Sequence, residues 1–159
     1  MKTLFVIAAI LGLSVAGLLI AAWMSRTGTA PGLKSGQLTE CKGSPNCVCS
    51  EYDADSRFWV EPISIEADKQ IVWNKLRGAV KEMGGDITNE TPIYLSAVFS
   101  SKWLHFKDDF EARFDEQANL THLRSASRVG YSDLGVNNAR IARLKVMLNQ
   151  KLAATSRIN

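Results

Sequence analysis

An uncharged run near the N-terminus constrains this chain more than any other feature. Leu4 to Met24, LFVIAAILGLSVAGLLIAAWM, contains no charged side chain. Roughly 21 residues at ~1.5 Å rise each cover the ~30 Å hydrocarbon core of a bilayer. Lys2 precedes the run and Arg26 comes after it, and Trp23 sits at one end, where an amphipathic ring favours the interface. A secretory signal has a shorter apolar region, roughly 7–15 residues, and a small-x-small cleavage site. The best such site is Gly28-Thr29-Ala30, and Pro31 directly after it disfavours cleavage. The first cysteine, Cys41, lies well beyond any lipobox position. The expectation is an uncleaved single-pass anchor, with membrane contact through residues 4–24; a cleaved signal peptide is the alternative. One Lys against one Arg specifies orientation weakly. A signal-like N-terminus leaves the C-terminal part of a chain outside the cytoplasm, and that orientation is expected here.

The remainder reads as one small domain. Charged residues make up 22% of the chain and hydrophobic ones 46%, which suits a packed core rather than a disordered segment. A net charge of +3, without a Lys/Arg cluster carrying interleaved aromatics, argues against nucleic acid as a partner. The expected division is an anchor at 1–25, a flexible Gly/Ser/Thr/Pro linker at 26–40, an α+β domain at 41–154 and a tail at 155–159.

Cys41 to Ser50, CKGSPNCVCS, is rich in turn formers and holds all three cysteines. In an oxidising compartment Cys41 and Cys47 can close a small loop, leaving Cys49 as the free thiol. The C-x5-C-x-C spacing has no second pair, and His105 and His122 are distant, so no zinc site is expected. Phe58–Ile65 reads as a short extended segment, with Pro62 suggesting a sheet edge. Asp68 is placed to cap a helix over Lys69–Met83, whose Val72, Leu76, Ala79, Val80 and Met83 form an apolar stripe. Gly84-Gly85 ends it.

The period then changes to two, giving strands over 86–89, 93–100, 104–115 and 119–129. Phe106, Asp108, Phe110, Ala112 and Phe114 share one face of the third, and Lys107, Asp109, Glu111 and Arg113 the other, which reads as a solvated face. Asp108, in line with three phenylalanines, needs an arginine partner or a place at the strand's edge. In the fourth strand His122, Arg124, Ala126 and Arg128 face opposite to Leu123, Ser125 and Ser127. Gly130 and Gly135 are spaced like a phosphate loop, but Val136 and Asn137 stand where Lys and Ser/Thr are required. Asn137 is the expected cap of a last helix with Ile141, Leu144, Leu148 and Leu152 inward. The expected fold is a two-layer α+β sandwich: an antiparallel four- to five-stranded sheet with two helices on one face, preceded by a transmembrane helix.

Three blocks carry a resemblance: CKGSPNCVCS (41–50), FKDDFEARFD (106–115) and RSASRVGYSDLGVNNARI (124–141). In this order they resemble the family catalogued as domain of unknown function fourteen ninety-nine, over about Cys41 to Leu152. Lys42 replaces the family's usual Pro, Cys49 stands where Ser is common, and Asn138 where a basic residue is frequent. The resemblance implies a bacterial envelope or plastid-type setting, hence a bacterial inner-membrane protein with a periplasmic domain, and implies no activity.

The polar residues form one candidate patch: Asp108, Asp109, Glu111, Arg124, Ser125, Ser127, Arg128, Tyr131, Ser132, Asp133, Asn137 and Arg140. The leading reading is a non-enzymatic binding or structural module, with an envelope protein or lipid as partner. Its patch is an ion-pair network in which neighbouring strands bring the acidic run Asp108, Asp109 and Glu111 near Arg124 and Arg128, and Asp108 and Asp133 are the acids that could consume the two arginines. A small-molecule, anion or lipid site is the first alternative, through arginine forks and helix-start N–H groups. A hydrolase is the second, but alternation sets His122 on the face opposite Ser125 and Ser127, and Asp108 opposite Asp109. No cofactor or metal is expected.

Overall fold

A computed structural model describes residues 1–52, 54–65 and 68–156. The fold is α+β. Helix α1 spans Lys2–Ser25. After it come short strands β1 (Leu33–Lys34), β2 (Gln37–Leu38), β3 (Cys47–Cys49) and β4 (Ile63–Ser64). Helix α2 (Lys69–Glu82) precedes β5 (Asp86–Glu90), β6 (Tyr94–Ser100), β7 (Lys107–Asp115) and β8 (Leu120–Ser127), and helix α3 is Val136–Ser156. Residues 157–159 of the expected tail lie outside the described residues.

The main sheet is antiparallel and six-stranded, in the order β3-β8-β7-β6-β5, with β4 also on β8. Short connections force antiparallel neighbours, so β5 to β8 form a meander. The extra strand beyond the expected count is β3: Cys47–Cys49, inside the segment read as a turn, pairs with Arg124–Ala126. The extended segment expected over 58–65 reduces to β4, which pairs with Leu120 and Thr121 farther along the same edge of β8.

Helix α2 starts where expected, with Asp68 accepting from the N–H groups of Gln70 and Ile71 at 2.8 and 3.1 Å. It ends on Gly84 (φ +88°), and a Cβ on Gly85 would lie 2.8 Å from both Phe99 and Val80, so the pair serves both the turn and a close approach. Both helices cover one face. Val72, Leu76 and Val80 of α2 and Ile141, Leu144 and Leu148 of α3 pack on Leu95, Ala97, Phe110, Ala112 and Leu123. Phe110 is fully buried, and burial of one such side chain contributes about 1.5–3 kcal/mol.

The other face departs from the expectation. Residues 26–40, read as a flexible linker, instead form a strap that lies back on the sheet. Its β1–β2 hairpin pairs Leu33 with Leu38 and Lys34 with Gln37. Leu38 is fully buried in a small cluster with Cys49 and Tyr94. Composition suggested a tether because the strap's apolar anchors are Leu38 and the partly buried Leu33, too few for a period.

Helix α1 is docked on the domain through its last turn. Ala22 and Ser25 are buried, the N–H of Lys107 donates to Ser25 Oγ at 3.1 Å, and Arg128 donates to the Ser25 carbonyl at 3.2 Å. The rest of α1 is exposed and is long and apolar enough to cross a membrane.

Candidate functional site

The polar patch divides into two networks, one on each face of the sheet, because strand alternation sends neighbouring residues to opposite sides.

The network on the helix face centres on Asn137. Its Oδ1 accepts from Ser125 Oγ at 2.6 Å and from Arg140. Its Nδ2 donates to the Asn46 carbonyl at 2.9 Å and to Ser127 Oγ at 3.1 Å. All the side chain's hydrogen-bonding positions are thus used, as a buried amide requires. Arg140 also donates to Ser125 Oγ (2.8 Å) and to Asp108 (2.6 Å), and its guanidinium lies 4.6 Å from the centroid of Phe99. Asp108 therefore has the arginine partner its position demanded, but the partner is Arg140. Asn137 is not the cap of α3. Asp133 caps it, accepting from the N–H of Asn137 at 2.7 Å and of Gly135 at 3.0 Å, which frees Asn137 to join α3, β8 and the 44–46 turn. Tyr131 and Ser132, by contrast, are exposed on the loop before α3.

The network on the strap face is the larger correction. Asp109, Glu111 and Arg113, read as solvated, are 4%, 0% and 9% exposed. Glu111 accepts from Arg124 Nη1 at 2.8 Å, Tyr94 Oη at 2.8 Å and the Gly32 N–H of the strap at 2.9 Å. Asp109 takes both arms of Arg128, at 3.0 and 2.7 Å. Arg113 forks onto Glu51, with a further bond to Asp115, and Glu51 also accepts the Leu38 N–H of the strap. The acidic run thus does meet Arg124 and Arg128, through Glu111 and Asp109, while Asp108 and Asp133 are engaged elsewhere. Burial of these charges is possible because each carboxylate has several donors.

The electrostatics reflect this burial. Burial, then the adjacent Glu111 charge, pushes the Tyr94 phenol far up, so it stays a donor to Glu111. Burial would lower Arg113, but its bonds to Glu51 and Asp115 outweigh that and raise it. Burial raises the Cys49 thiol to about 11, which leaves it unreactive near neutrality. Cys41 and Cys47 form a disulfide and Cys49 is the free, buried cysteine.

Three contributors escaped the sequence reading. Asn46 holds the turn before β3, donating to the Gly130 carbonyl at 2.6 Å. Glu51 lies just outside the Cys41–Ser50 block, and nothing local in the sequence marks it as buried. Ser50 lies 3.2 Å from His122 Nδ1 and accepts from the Leu123 N–H at 2.7 Å, so His122 pairs with a serine other than those considered. Ser50 is 4% exposed and extends the β3–β8 ladder. Ser125 is fully buried, and its proton is given to Asn137. Among the described residues no group of three or more His, Cys, Asp and Glu side chains is placed to hold a metal ion.

Between the strap and the β3–β8 edge lies an open cleft of about 460 Å³, lined by Lys34, Lys42, Arg124 and Arg128 together with Glu40 and Asp109. Arg124 is 9% exposed, and its Nε is buried without a hydrogen-bond partner.

A comparison with curated proteins finds no match for the chain. A family model, "Protein of unknown function (DUF1499)", matches residues 37–148. That span contains the Cys41–Cys47 loop, both carboxylate–arginine networks and the first two-thirds of α3, and it is most of the chain. The protein belongs to the DUF1499 family.

Proposed function

We propose that this is a membrane-anchored, non-enzymatic binding module whose site is the cleft beneath the strap, and that its ligand carries a carboxylate or phosphate. The observation that carries the reading is Arg124. A buried donor without an acceptor costs about 1–3 kcal/mol, and this one belongs to a guanidinium that lines an open cleft. Lys34, Lys42 and Arg128 line it too, against Glu40 and Asp109. Counting Glu111 behind Arg124, the local balance is four cations to three anions. An anionic group there gains the positive field of the two paired guanidiniums and the two lysine ammonium groups on the cleft wall.

The domain sits on the non-cytoplasmic side of a bacterial inner membrane. The Cys41–Cys47 disulfide supports an oxidising compartment. Packing of Ala22 and Ser25 into the domain supports retention of α1 as an anchor rather than its removal. The non-enzymatic reading rests on the hydroxyls: Ser50 and Ser125 are buried and engaged within the protein.

The test is titration of the full chain, in detergent micelles, with inorganic phosphate and with succinate, read by thermal unfolding. The expected result is a saturable rise in Tm that weakens several-fold in the double variant Lys34→Ala/Lys42→Ala, whose own Tm is unchanged. Absence of a saturable rise with either anion overturns the reading.

A further inference from the structure

We propose that one end of the domain is itself a membrane-contacting surface: the β6–β7 and β8–α3 loops insert Trp103, Tyr131 and Leu134 into the bilayer interface beside α1.

The sheet has two ends. The C-terminal ends of β6 and β8 and the N-terminal end of β7 share one of them, as the pairs Ser100↔Lys107 and Asp108↔Ser127 fix. Helix α1 is docked at this end, through Ser25 on Lys107 and Arg128. Beyond Met1 and α1, the most exposed large hydrophobic residues described are Leu134 (96%), Trp103 (88%) and Tyr131 (72%). All three lie on loops at this same end. The β5–β6 turn at the opposite end offers Ile93, at 40%. Scattered exposed apolar side chains are ordinary; three at one end, beside the anchor, are not.

Leu134 carries a second sign. It adopts φ +56°, a left-handed conformation that a leucine rarely takes. The loop holds it there through the Leu134 N–H on Ser132 Oγ at 3.3 Å and the Gly135 N–H on Asp133 at 3.0 Å. Strain of this kind persists where a position has a use. Asp133, the nearby acid, is turned onto the start of α3 and away from this role.

The length of the anchor identifies the occupant. The apolar run ends at Met24, and Ser25 is already bonded to β7. Ala22, within the run, is 2% exposed because the domain covers it. The domain therefore begins at the hydrocarbon boundary with no spacer, and its α1-bearing end lies within the headgroup layer, about 5–8 Å deep on each side. Trp and Tyr side chains suit that layer, and Arg26, Lys102 and Lys107 at the same end suit lipid phosphates.

The inference rests on α1 spanning the bilayer, and the experiment separates the two claims. The full chain in a Cys49→Ala background carries a nitroxide at Leu134→Cys, at Trp103→Cys or, as control, at Val146→Cys on α3. It is reconstituted into phosphatidylcholine/phosphatidylglycerol vesicles. Co-flotation with the vesicles reads the anchor, and collision with oxygen against a water-soluble nickel chelate reads depth. The expected result is several-fold lower nickel accessibility at 134 and 103 than at 146, with oxygen accessibility raised. Protein that floats but gives equal nickel accessibility at all three positions overturns the inference and leaves the anchor standing; protein that does not float overturns both. Circular dichroism identical to the parent shows each labelled variant folded.

Discussion

Replacing Arg124 by Met tests how the strap face is held together. The substitution keeps most of the apolar stem and removes the guanidinium. It leaves the Glu111 carboxylate at 0% exposure with two donors, Tyr94 Oη and the Gly32 N–H. Removing one partner of a buried ion pair costs about 3–5 kcal/mol. The two surviving hydrogen bonds set the value at the lower end, about 3 kcal/mol, a large share of the ~5–15 kcal/mol that holds a typical domain. Glu111→Gln should cost less, about 1–3 kcal/mol, because Tyr94 and Gly32 keep an acceptor and Arg124 borders the open cleft. The double variant Glu111→Gln/Arg124→Met should be more stable than Arg124→Met alone, since no buried charge is left without its counter-charge. The assay is urea unfolding of the full chain in detergent, monitored by near-ultraviolet circular dichroism. A cost below about 1 kcal/mol for Arg124→Met, or a double variant no better than the single, would show that the Glu111–Arg124 pair does not hold the strap face.

Other outcomes are expected from the same structure. Arg140→Ala removes the Asp108 pair, the bonds to Ser125 and Asn137 and the Phe99 contact, and should cost about 2–4 kcal/mol by urea unfolding, with Arg140→Lys recovering only part because an ammonium cannot fork. Reduction of the Cys41–Cys47 disulfide should cost about 2 kcal/mol for so short a loop, and mass spectrometry of a non-reduced digest should find that pair with Cys49 free. Cys49 titrates at about 11 when folded against an ordinary value of 9.0, so its contribution is complete below pH 9 and is lost as pH rises toward 11. The loss is about 2–3 kcal/mol. Tyr94 acts in the same direction, so the quantity to measure is the difference between wild type and Cys49→Ala, and a difference that does not change between pH 8 and 11 contradicts the assignment.

The α2 and β6 to β8 boundaries were legible within about three residues because each has a clear period and, for α2, a cap at Asp68 and a Gly84-Gly85 stop. The alternation of β7 and β8 separated the correct faces, including His122 from Ser125. It did not reveal that the second face was buried. Lys107, Asp109, Glu111 and Arg113 have the composition of a surface, and only tertiary contacts from Gly32, Leu38 and Glu51 make it an interior. Strand β3 was hidden because Cys47–Cys49 is too short to show a period and gains its order from pairing with β8. The cap of α3 was misplaced by four residues because Asp133 and Asn137 are both capping types. The fully satisfied environment of Asn137 is a property of the 44–46 turn, distant in sequence.

The segment after α1 is part of the domain, pinned by backbone donors on buried carboxylates. Hydrogen exchange at the Gly32 and Leu38 amides of the membrane-reconstituted full chain tests it most directly. Both donate to buried acceptors, Glu111 and Glu51, and should be protected to the same degree as amides of β7, with Gly32 losing that protection in Glu111→Ala. Exchange of Gly32 and Leu38 at the rate of an unstructured chain would contradict the account and return residues 26–40 to a free tether.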